Sequence, residues 1–419
     1  MQIQVRRFRG GPGRRGSALL FAAIAAVAIA GLCAAILSLT TRTSESRVRG
    51  FGEQRALYAA EAGLSDAYVQ VTAELLPLDT GAPVLLGAPD QLVELGPVGY
   101  WVEVTQPNPR DVVLLASGVD GLDEVRLELV LSRLPNGFFQ FAAFGADGVN
   151  LDSNAFIDSY DSNEGSYLEQ VQAGAEYAKQ NGDVGSNGDI TLKANTQVHG
   201  DAKPGPTGSL NDNAPGTFVA GSTEPLEEEV VLPPIDVPVA ASSSGALVGS
   251  SAVVVGPADV LHYDSILMQG GSTLEIVGPC KLVVDDLLLK SNSEIVFNTD
   301  GGEIEVFGTG NFVLESNSVL TTQTDSALDV TLLLSGDNSG PGAAHDVELG
   351  ANASFTGAIY APYCEFSLAS NFTIYGSIMC GFLDLSSFGE IHFDEALLYD
   401  GYGASGELEP RYWRRAPLQ

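Results

Sequence analysis

The first candidates for catalysis in this sequence are two adjacent aspartates, Asp285 and Asp286. A pair of carboxylates can divide the general acid and general base work of glycoside hydrolysis. Adjacent residues of a strand point to opposite faces of a sheet, so these two would not face one substrate. The cationic residues that a polysaccharide lyase would need are scarce, because no arginine lies between Arg133 and Arg411. The sequence therefore predicts a protein that is not an enzyme.

The other residues with metal-binding chemistry are scattered. The four histidines are far apart and have no ligand spacing with one another or with cysteine, so no metal site is predicted; they are His199, His262, His345 and His392. Asp158, Asp161 and Glu164 lie in a turn-rich acidic stretch that could bind calcium weakly through oxygen ligands. They match no established calcium motif, and a solvated acidic loop is the favoured interpretation.

Two of the four cysteines are spaced for a possible disulfide bond. Cys364 and Cys380 are close in sequence and could pair outside the cytoplasm. Aligning Gly357 with Gly376, however, offsets the two cysteines by about three strand positions, which disfavours the bond. With so few cysteines, the chain is not a disulfide-stabilised scaffold.

The charge balance excludes one class of partner. The chain has 53 acidic against 20 basic residues, for a formal net charge of −33. Such a body repels phosphate backbones, so no nucleic-acid partner is expected.

A nine-residue pattern recurs through the C-terminal two thirds of the chain: apolar, any, Leu, any, small, Asn, any, any, apolar. Asparagine tolerates the left-handed backbone conformation of a sharp corner, and stacked asparagines can hydrogen-bond along a ladder. A structural corner ladder is favoured over a sugar-binding role for these residues, which are Asn154, Asn195, Asn292, Asn317, Asn352 and Asn371.

This repeat predicts a right-handed parallel β-helix, or solenoid, over residues 136–400, in which each coil buries the face of its neighbour. Residues 202–249, rich in Pro, Gly and acid, are expected to form an irregular insertion draped on the solenoid. The C-terminal tail, residues 401–419, is expected to cap the open solenoid edge.

The N-terminal third has a different organisation. Residues 1–16 form a basic leader, and residues 17–41 form an uncharged apolar run that spans about 35 Å as a helix, enough to cross a bilayer. An amphipathic helix should continue through residues 42–76, with an apolar stripe that includes Leu57, Leu64 and Leu75. Three alternating segments in residues 77–135 predict a small antiparallel β-meander. The predicted fold class is thus mainly β with an N-terminal transmembrane helix.

These N-terminal residues resemble type IV pilins, most closely PilX-like minor pilins and K-type pseudopilins. The leader ends in Gly16 before Ser17, and the helix carries a stretch similar to the A-x-x-A-A-E-A-G-L-x-x-A of that family. Its central residues are Ala59, Ala60, Glu61, Ala62, Gly63 and Leu64. The resemblance implies cleavage by prepilin peptidase after Gly16 and N-methylation of Ser17. Phe21 stands where most pilins have a glutamate, which implies a minor or tip subunit.

The resemblance implies a single-pass protein of a bacterial inner membrane whose body is periplasmic or extracellular. Its expected partners are the inner membrane, prepilin peptidase, other pilin-like subunits and a surface polysaccharide or a host or cell-surface ligand. No cofactor is expected apart from the weak calcium binding above. An unassembled envelope adhesin or scaffold is the alternative, and a carbohydrate-active β-helix enzyme is a third.

Residues 138–400 also resemble an uncharacterised β-helix module found behind PilX-like N-termini. That resemblance implies a fold and no activity. The stretches that carry it are residues 182–188, 357–362 and 391–394.

Overall fold

The structure is a computed structural model. It describes residues 15–73, 75, 76, 78, 82–108, 110–135, 137–171, 176–239, 242–315, 317–335, 345–349, 351–403 and 407–417. Side chains are described for these residues except 15–25, 28, 41–49, 345, 346 and 348. The predicted leader, residues 1–16, lies outside the described residues except for Arg15 and Gly16.

The elements are numbered in chain order. The helices are α1 (Arg15–Thr72), α2 (Tyr167–Gln170) and α3 (Leu397–Asp400), with 3-10 turns at Ser162–Glu164 and Ala327–Asp329. The first strands are β1 (Val84–Leu86), β2 (Val93–Leu95), β3 (Val98–Asn108), β4 (Asp111–Asp120), β5 (Asp123–Arg133), β6 (Ala143–Leu151), β7 (Phe156–Tyr160), β8 (Val184–Ser186), β9 (Asp189–Leu192), β10 (Gln197–Val198), β11 (Ala202–Lys203), β12 (Leu210–Asn211), β13 (Phe218–Val219) and β14 (Ala246–Gly249). The remaining strands are β15 (Val253–Val255), β16 (Ala258–Met268), β17 (Thr273–Val277), β18 (Cys280–Leu289), β19 (Glu294–Asn298), β20 (Ile304–Gly308), β21 (Phe312–Leu314), β22 (Val319–Thr322), β23 (Val330–Leu334), β24 (His345–Leu349), β25 (Ser354–Leu368), β26 (Thr373–Leu385), β27 (Glu390–Asp394) and β28 (Leu408–Ala416).

The chain divides into two compact units, residues 1–132 with 408–419 and residues 133–407. The first unit contains α1, a single helix of 58 residues that covers residues 17–41 and continues to Thr72, four residues short of the predicted end at residue 76. The predicted membrane span, residues 17–41, includes several residues whose side chains lie outside the described set. Among the described residues, no helix combines the length and the apolar character that a bilayer crossing requires.

An antiparallel sheet accompanies α1 in this unit. Its strands run in the order β1-β3-β4-β5-β28, and β2 pairs with β3. Strands β3, β4 and β5 overlap the three predicted strand segments and are paired antiparallel in sequence order. The expectation that the C-terminal tail caps the solenoid is wrong, because β28 pairs with β5 instead. An exposed bidentate ion pair between Arg414 and Glu128 accompanies this pairing.

Small residues form the face of α1 that meets the sheet. Ala56, Ala60 and Ala67 are fully buried there, and Leu64 of the predicted stripe is buried with them. Leu75 of that stripe lies beyond the end of α1 and is 70% exposed. The reason for the small residues is a close approach of helix and sheet: a Cβ atom at Gly118 of β4 would overlap the backbone of Ala56 and Ala60. At Ala56 and Ala60, a large apolar side chain would hold the helix too far from this strand.

The second unit consists of stacked turns of chain, here called coils, and it makes the protein mainly β as the sequence predicts. One coil runs through β17, the two halves of β18 and a corner at Asn292, and the next coil runs through β19, β20 and β21. Neighbouring coils pair in parallel and place like on like: Leu274 lies opposite Ile295, and Leu282 lies opposite Val306. The aligned inward residues form one continuous apolar core.

The coils are not stacked in sequence order. Strand β6, the first of this unit, pairs with β26, and β7 pairs with β27, so the first coil in sequence lies against the last. From there the chain builds outward through β8–β10 and β11–β13. It then resumes at β14, which pairs with β16 and begins the coils that lead back to β26. The coils from β14 to β27 return toward the starting point.

This order explains the Pro-rich segment. Residues 202–219 of the predicted insertion form a coil of their own, which corrects the predicted boundary. The irregular residues after 221 connect the two ends of the stack. Two hydrogen bonds join the Val230 backbone to the Asn187 side chain (2.8 and 2.9 Å). Farther along, the Tyr360 hydroxyl donates to the Pro233 carbonyl (2.6 Å), and the Ile235 side chain is buried. These contacts fix the path of the segment.

Candidate functional site

The six repeated asparagines all occupy corners of the coils in the second unit. Their φ angles lie between 58° and 63°, in the left-handed region. Side-chain amides bond between neighbouring coils, from Asn195 to Asn154 (3.2 Å) and from Asn371 to Asn352 (3.1 Å). Asn317 and Asn292 form a weaker contact of 3.5 Å. These amides therefore bind one another along the stack.

A column of polar residues crosses the junction between the first and last coils. Strand register places Tyr375 opposite His392, and His392 opposite Asp158. Val198 lies opposite Ile157, so the next residue, His199, follows Asp158 in the same column. Four coils thus bring together two histidines that are almost two hundred residues apart.

The His392 ring lies between two carboxylates. Its Nδ1 is 2.6 Å from Oδ1 of Asp158, and its Nε2 is 3.4 Å from Oε2 of Glu390. Burial alone would lower the pKa of His392, but the hydrogen bonds and charges of Asp158 and Glu390 outweigh it, and the pKa is raised. The hydrogen bond from His392 correspondingly lowers the pKa of Glu390.

The segment after β7 folds over this column. The Tyr167 ring lies 3.9 Å from the His392 ring, centroid to centroid, and the Tyr177 ring stacks on His199 at 4.3 Å. The Tyr167 hydroxyl and the amide of Ala178 both donate to Oδ2 of Asp158. With His392 on its other oxygen, this carboxylate is completely buried and fully bonded.

The three acidic residues of the predicted calcium site therefore have separate tasks. Asp158 holds the covering segment, as described. Asp161 caps the 3-10 turn by accepting from the amide of Asn163, and Glu164 pairs with Lys179 (2.7 Å). The three carboxylates are thus engaged with different protein partners.

His199 differs from His392 in its environment. It is 6% exposed, and neither ring nitrogen has a hydrogen-bond partner among the described residues. Besides Tyr177, its ring contacts Phe156 and Phe218. Burial lowers the pKa of His199, which favours the neutral ring.

Beside the column lies an open cleft of about 480 Å³. It combines aromatic, amide and carboxylate side chains, which suit a polar ligand that also presents apolar surface. The lining residues are Asn154, Ala155, Phe156, Tyr167, Leu168, Glu176, Asn195, Gln197, Tyr375, Glu390 and His392. Glycoside hydrolysis would need an acid whose pKa is raised, whereas the pKa of Glu390 is lowered.

The paired aspartates do not act together. The Asp285 carboxylate accepts from Thr309 and contacts His262, while Asp286 accepts from the backbone and side-chain amides of Asn311. Asp285 instead belongs to a group with His262 and Asp264, whose ligating atoms all lie within 4.8 Å of one another. This group was not predicted from the sequence. Alignment of two repeat copies could have predicted it. When the copies that begin at Ile266 and Leu287 are aligned, Asp264 lies beside Asp285.

The cysteines form no disulfide bond. Cys364 and Cys380 are both free and buried, and burial raises the pKa of each thiol. The predicted register holds as far as Gly357 opposite Gly376 and Ala361 opposite Cys380, but the predicted offset of three positions between the cysteines is wrong, because Glu365 lies opposite Phe382 and brings Cys364 and Cys380 to within about one position of each other. An irregularity between Ala361 and Glu365 then shifts the strand.

The family-like helix stretch lies against the sheet of the first unit. Ala59, Ala60 and Leu64 are buried, Ala62 is half-buried and Glu61 is exposed. A Cβ atom at Gly63 would lie 2.7 Å from the Tyr100 ring, so this position requires the absence of a side chain. The Tyr100 hydroxyl donates to Asp66 one turn later (2.7 Å), and burial together with this carboxylate raises the pKa of Tyr100 to about 12. Gly16 and Ser17 lie in the first turn of α1.

Comparison with known proteins gives limited similarity. A family model described as a domain of unknown function (DUF7305) matches residues 271–399. No curated protein matches the chain.

Three solved structures are similar to this chain, with low sequence identity and low TM-scores. The competence-associated pilin ComZ from Thermus thermophilus has 13% identity and a TM-score of 0.31, over 87% of this chain and 97% of that one. An ice-binding protein from the Antarctic ascomycete Antarctomyces psychrotrophicus has 14% identity and a TM-score of 0.29, over 62% and 98%. An ice-binding protein from an Antarctic biological consortium has 10% identity and a TM-score of 0.28, over 61% and 87%. These TM-scores are too low to establish a shared fold.

Proposed function

We propose that the protein is a non-enzymatic, pilin-like minor subunit, of the PilX-like or K-type pseudopilin kind. In this proposal it is anchored in a bacterial inner membrane by residues 17–41 and processed by prepilin peptidase after Gly16. Its coil unit is a parallel β-helix held outside that membrane. There it serves filament assembly, adhesion or recognition of a surface polysaccharide or a cell-surface ligand, together with other pilin-like subunits.

The observation that carries this proposal is the packing of α1. One continuous helix joins the apolar segment behind Gly16 to the stretch around Ala60 and Gly63. That stretch uses small residues to bring the helix backbone against Gly118 of the sheet. The sequence motif thus has a physical task, which is to seat a long helix on a small antiparallel sheet, the arrangement that the pilin resemblance implies.

The absence of catalysis is part of the proposal. The cleft beside His392 offers a carboxylate, Glu390, whose pKa is lowered, and Asp285 and Asp286 bind different partners. Both features favour binding over acid–base chemistry. Aromatic rings and amides along the cleft support recognition of a polar ligand such as a saccharide.

Mass spectrometry of the mature N-terminus tests the proposal. In a host with prepilin peptidase, the protein should begin at Ser17 with a methylated amine. The substitution Gly16→Val should leave the leader intact, and Gly13→Val, in the same leader, should still be processed. An intact wild-type leader would contradict the pilin proposal and favour an unassembled, membrane-anchored adhesin or scaffold.

A further inference from the structure

Three potential metal ligands meet on strands β16 and β18, away from the cleft described above. They are the ring of His262 and the carboxylates of Asp264 and Asp285, with one ligating atom of each within 4.8 Å of the other two. His262 Nε2 lies 3.2 Å from Oδ1 of Asp285. The His262 and Asp285 side chains are 27% and 46% exposed, so an ion has access from solvent.

The backbone holds these side chains in place. His262 and Asp264 are two residues apart on β16 and therefore project from the same face. The pairs Tyr263–Val284 and Ser265–Asp286 place Asp264 opposite Asp285 on the next coil. Both strands lie inside the parallel stack, with further strands paired on either side. A site on such rigid elements holds its ligands more precisely than a site on loops.

Asp264 and Asp285 place two like charges on paired strands. Like charges directly opposite each other on paired strands destabilise the pairing. Each carboxylate is nevertheless oriented by a hydroxyl from a neighbouring coil: Ser243 donates to Asp264 (2.5 Å), and Thr309 donates to Asp285 (2.8 Å). Such outer bonds are typical of carboxylates that ligate metals.

We propose that His262, Asp264 and Asp285 bind one divalent transition cation of the Zn²⁺ type. The imidazole supplies nitrogen and the two carboxylates supply oxygen, a donor set that suits Zn²⁺ better than Ca²⁺ or Mg²⁺, which prefer oxygen ligands alone. Water completes the coordination. The ion links two neighbouring coils and neutralises the repulsion between them. This site does not depend on the proposed pilin function.

Zinc titration of the full-length protein in detergent, after treatment with a chelator, tests the site. Calorimetry should show one equivalent bound, with at least tenfold weaker binding in Asp285→Asn and in His262→Gln. The matched control is Asp286→Asn, which removes the same charge one residue away and should bind as the wild type does. Binding that is equal in all four proteins would overturn the proposal, because it would reflect only the ion atmosphere of a chain with a net charge of −33.

Two further measurements test whether the variants are folded and whether the histidine binds the metal ion. Circular dichroism in chelator should show that each variant is folded; should Asp285→Asn not fold, Asp264→Asn takes its place. Cobalt added to the wild type should give a visible d–d absorption band that zinc removes and that His262→Gln lacks. A cobalt band that persists in His262→Gln would show that the histidine is not a ligand and would overturn the site as described.

Discussion

His392 and Asp158 are in contact across the junction where the first coil of the second unit meets the last. The Nδ1 atom of His392 lies 2.6 Å from Oδ1 of Asp158, with both side chains buried and 234 positions apart in sequence. Because coils with similar apolar interiors could stack in several orders, a buried ionic contact of this kind favours one order over the others. We infer from this that the contact contributes to the specificity of the stacking order.

Substituting His392 by Asn should destabilise the second unit by about 3 kcal/mol, because a buried carboxylate loses its partner. The pH dependence should change as well. A histidine whose pKa is raised on folding stabilises fully below its unfolded pKa, about 6.5, and this stabilisation is lost as the pH rises through the folded pKa. Urea unfolding followed by circular dichroism should therefore show wild-type stability falling as the pH rises above about 6.5, more steeply than in the variant. Parallel curves for the two proteins would contradict this role.

His199→Phe should have the opposite effect and stabilise the protein by about 1 kcal/mol near neutral pH. The ring lies among Phe156, Tyr177 and Phe218, and its two nitrogens have no partner among the described residues. Its lowered pKa means that stability is present above the unfolded pKa and is lost as the pH falls. The gain from the substitution should therefore grow toward acidic pH in the same urea experiment. A clear loss of stability would show that a ring nitrogen is bonded.

The corner residues show what local sequence can predict. All six repeated asparagines adopt the left-handed conformation that their position in the repeat indicates. The conformation is predictable because a corner depends on a few adjacent residues, and few residue types adopt the left-handed backbone conformation. Two copies of the repeat that lack this asparagine, residues 266–274 and 383–391, keep the geometry with other residues, Gly271 at φ 79° and Phe388 at φ 61°.

The stacking order could not be predicted in the same way. Each copy has the same inward pattern of apolar residues, so nothing local indicates that β6 lies against β26 rather than at one end. The order depends on contacts between distant residues, such as His392 with Asp158. The group of His262, Asp264 and Asp285 was missed for a related reason, since it forms only when two copies are placed in register. The small-residue face of α1 likewise depends on Gly118, which is distant in sequence.

Phe388 supplies a test of the corner geometry. A left-handed conformation strains a bulky residue by about 1 to 3 kcal/mol, and this ring is 56% exposed, so it contributes little burial. Phe388→Asn should therefore stabilise the second unit by about 1 kcal/mol, because asparagine, the residue at six other corners, adopts the left-handed conformation more readily. The matched control is Asn371→Ala, which should destabilise it by a similar amount. Thermal unfolding in which Phe388→Asn is less stable than wild type would contradict the strain.

Gly118→Ala should disrupt the seat of α1 on its sheet. The new Cβ atom would overlap the carbonyl oxygen of Ala56 and the amide nitrogen of Ala60, both part of the helix backbone, which cannot move aside as a side chain can. We expect a loss of about 3 kcal/mol from the first unit. The control is Gly50→Ala in the same helix, where a Cβ atom meets nothing within 4 Å and should add up to about 1 kcal/mol through helix propensity.

Tryptophan fluorescence measures this effect selectively, because both tryptophans of the chain, Trp101 and Trp413, belong to the first unit. The urea concentration at the midpoint of unfolding, measured by this fluorescence, should be lower in Gly118→Ala than in the wild type. In Gly50→Ala it should be equal to the wild-type value or higher. An unchanged midpoint in Gly118→Ala would mean that α1 does not rest on β4 in solution. The proposed link between the small-residue stretch and the seating of the helix would then lose its physical basis.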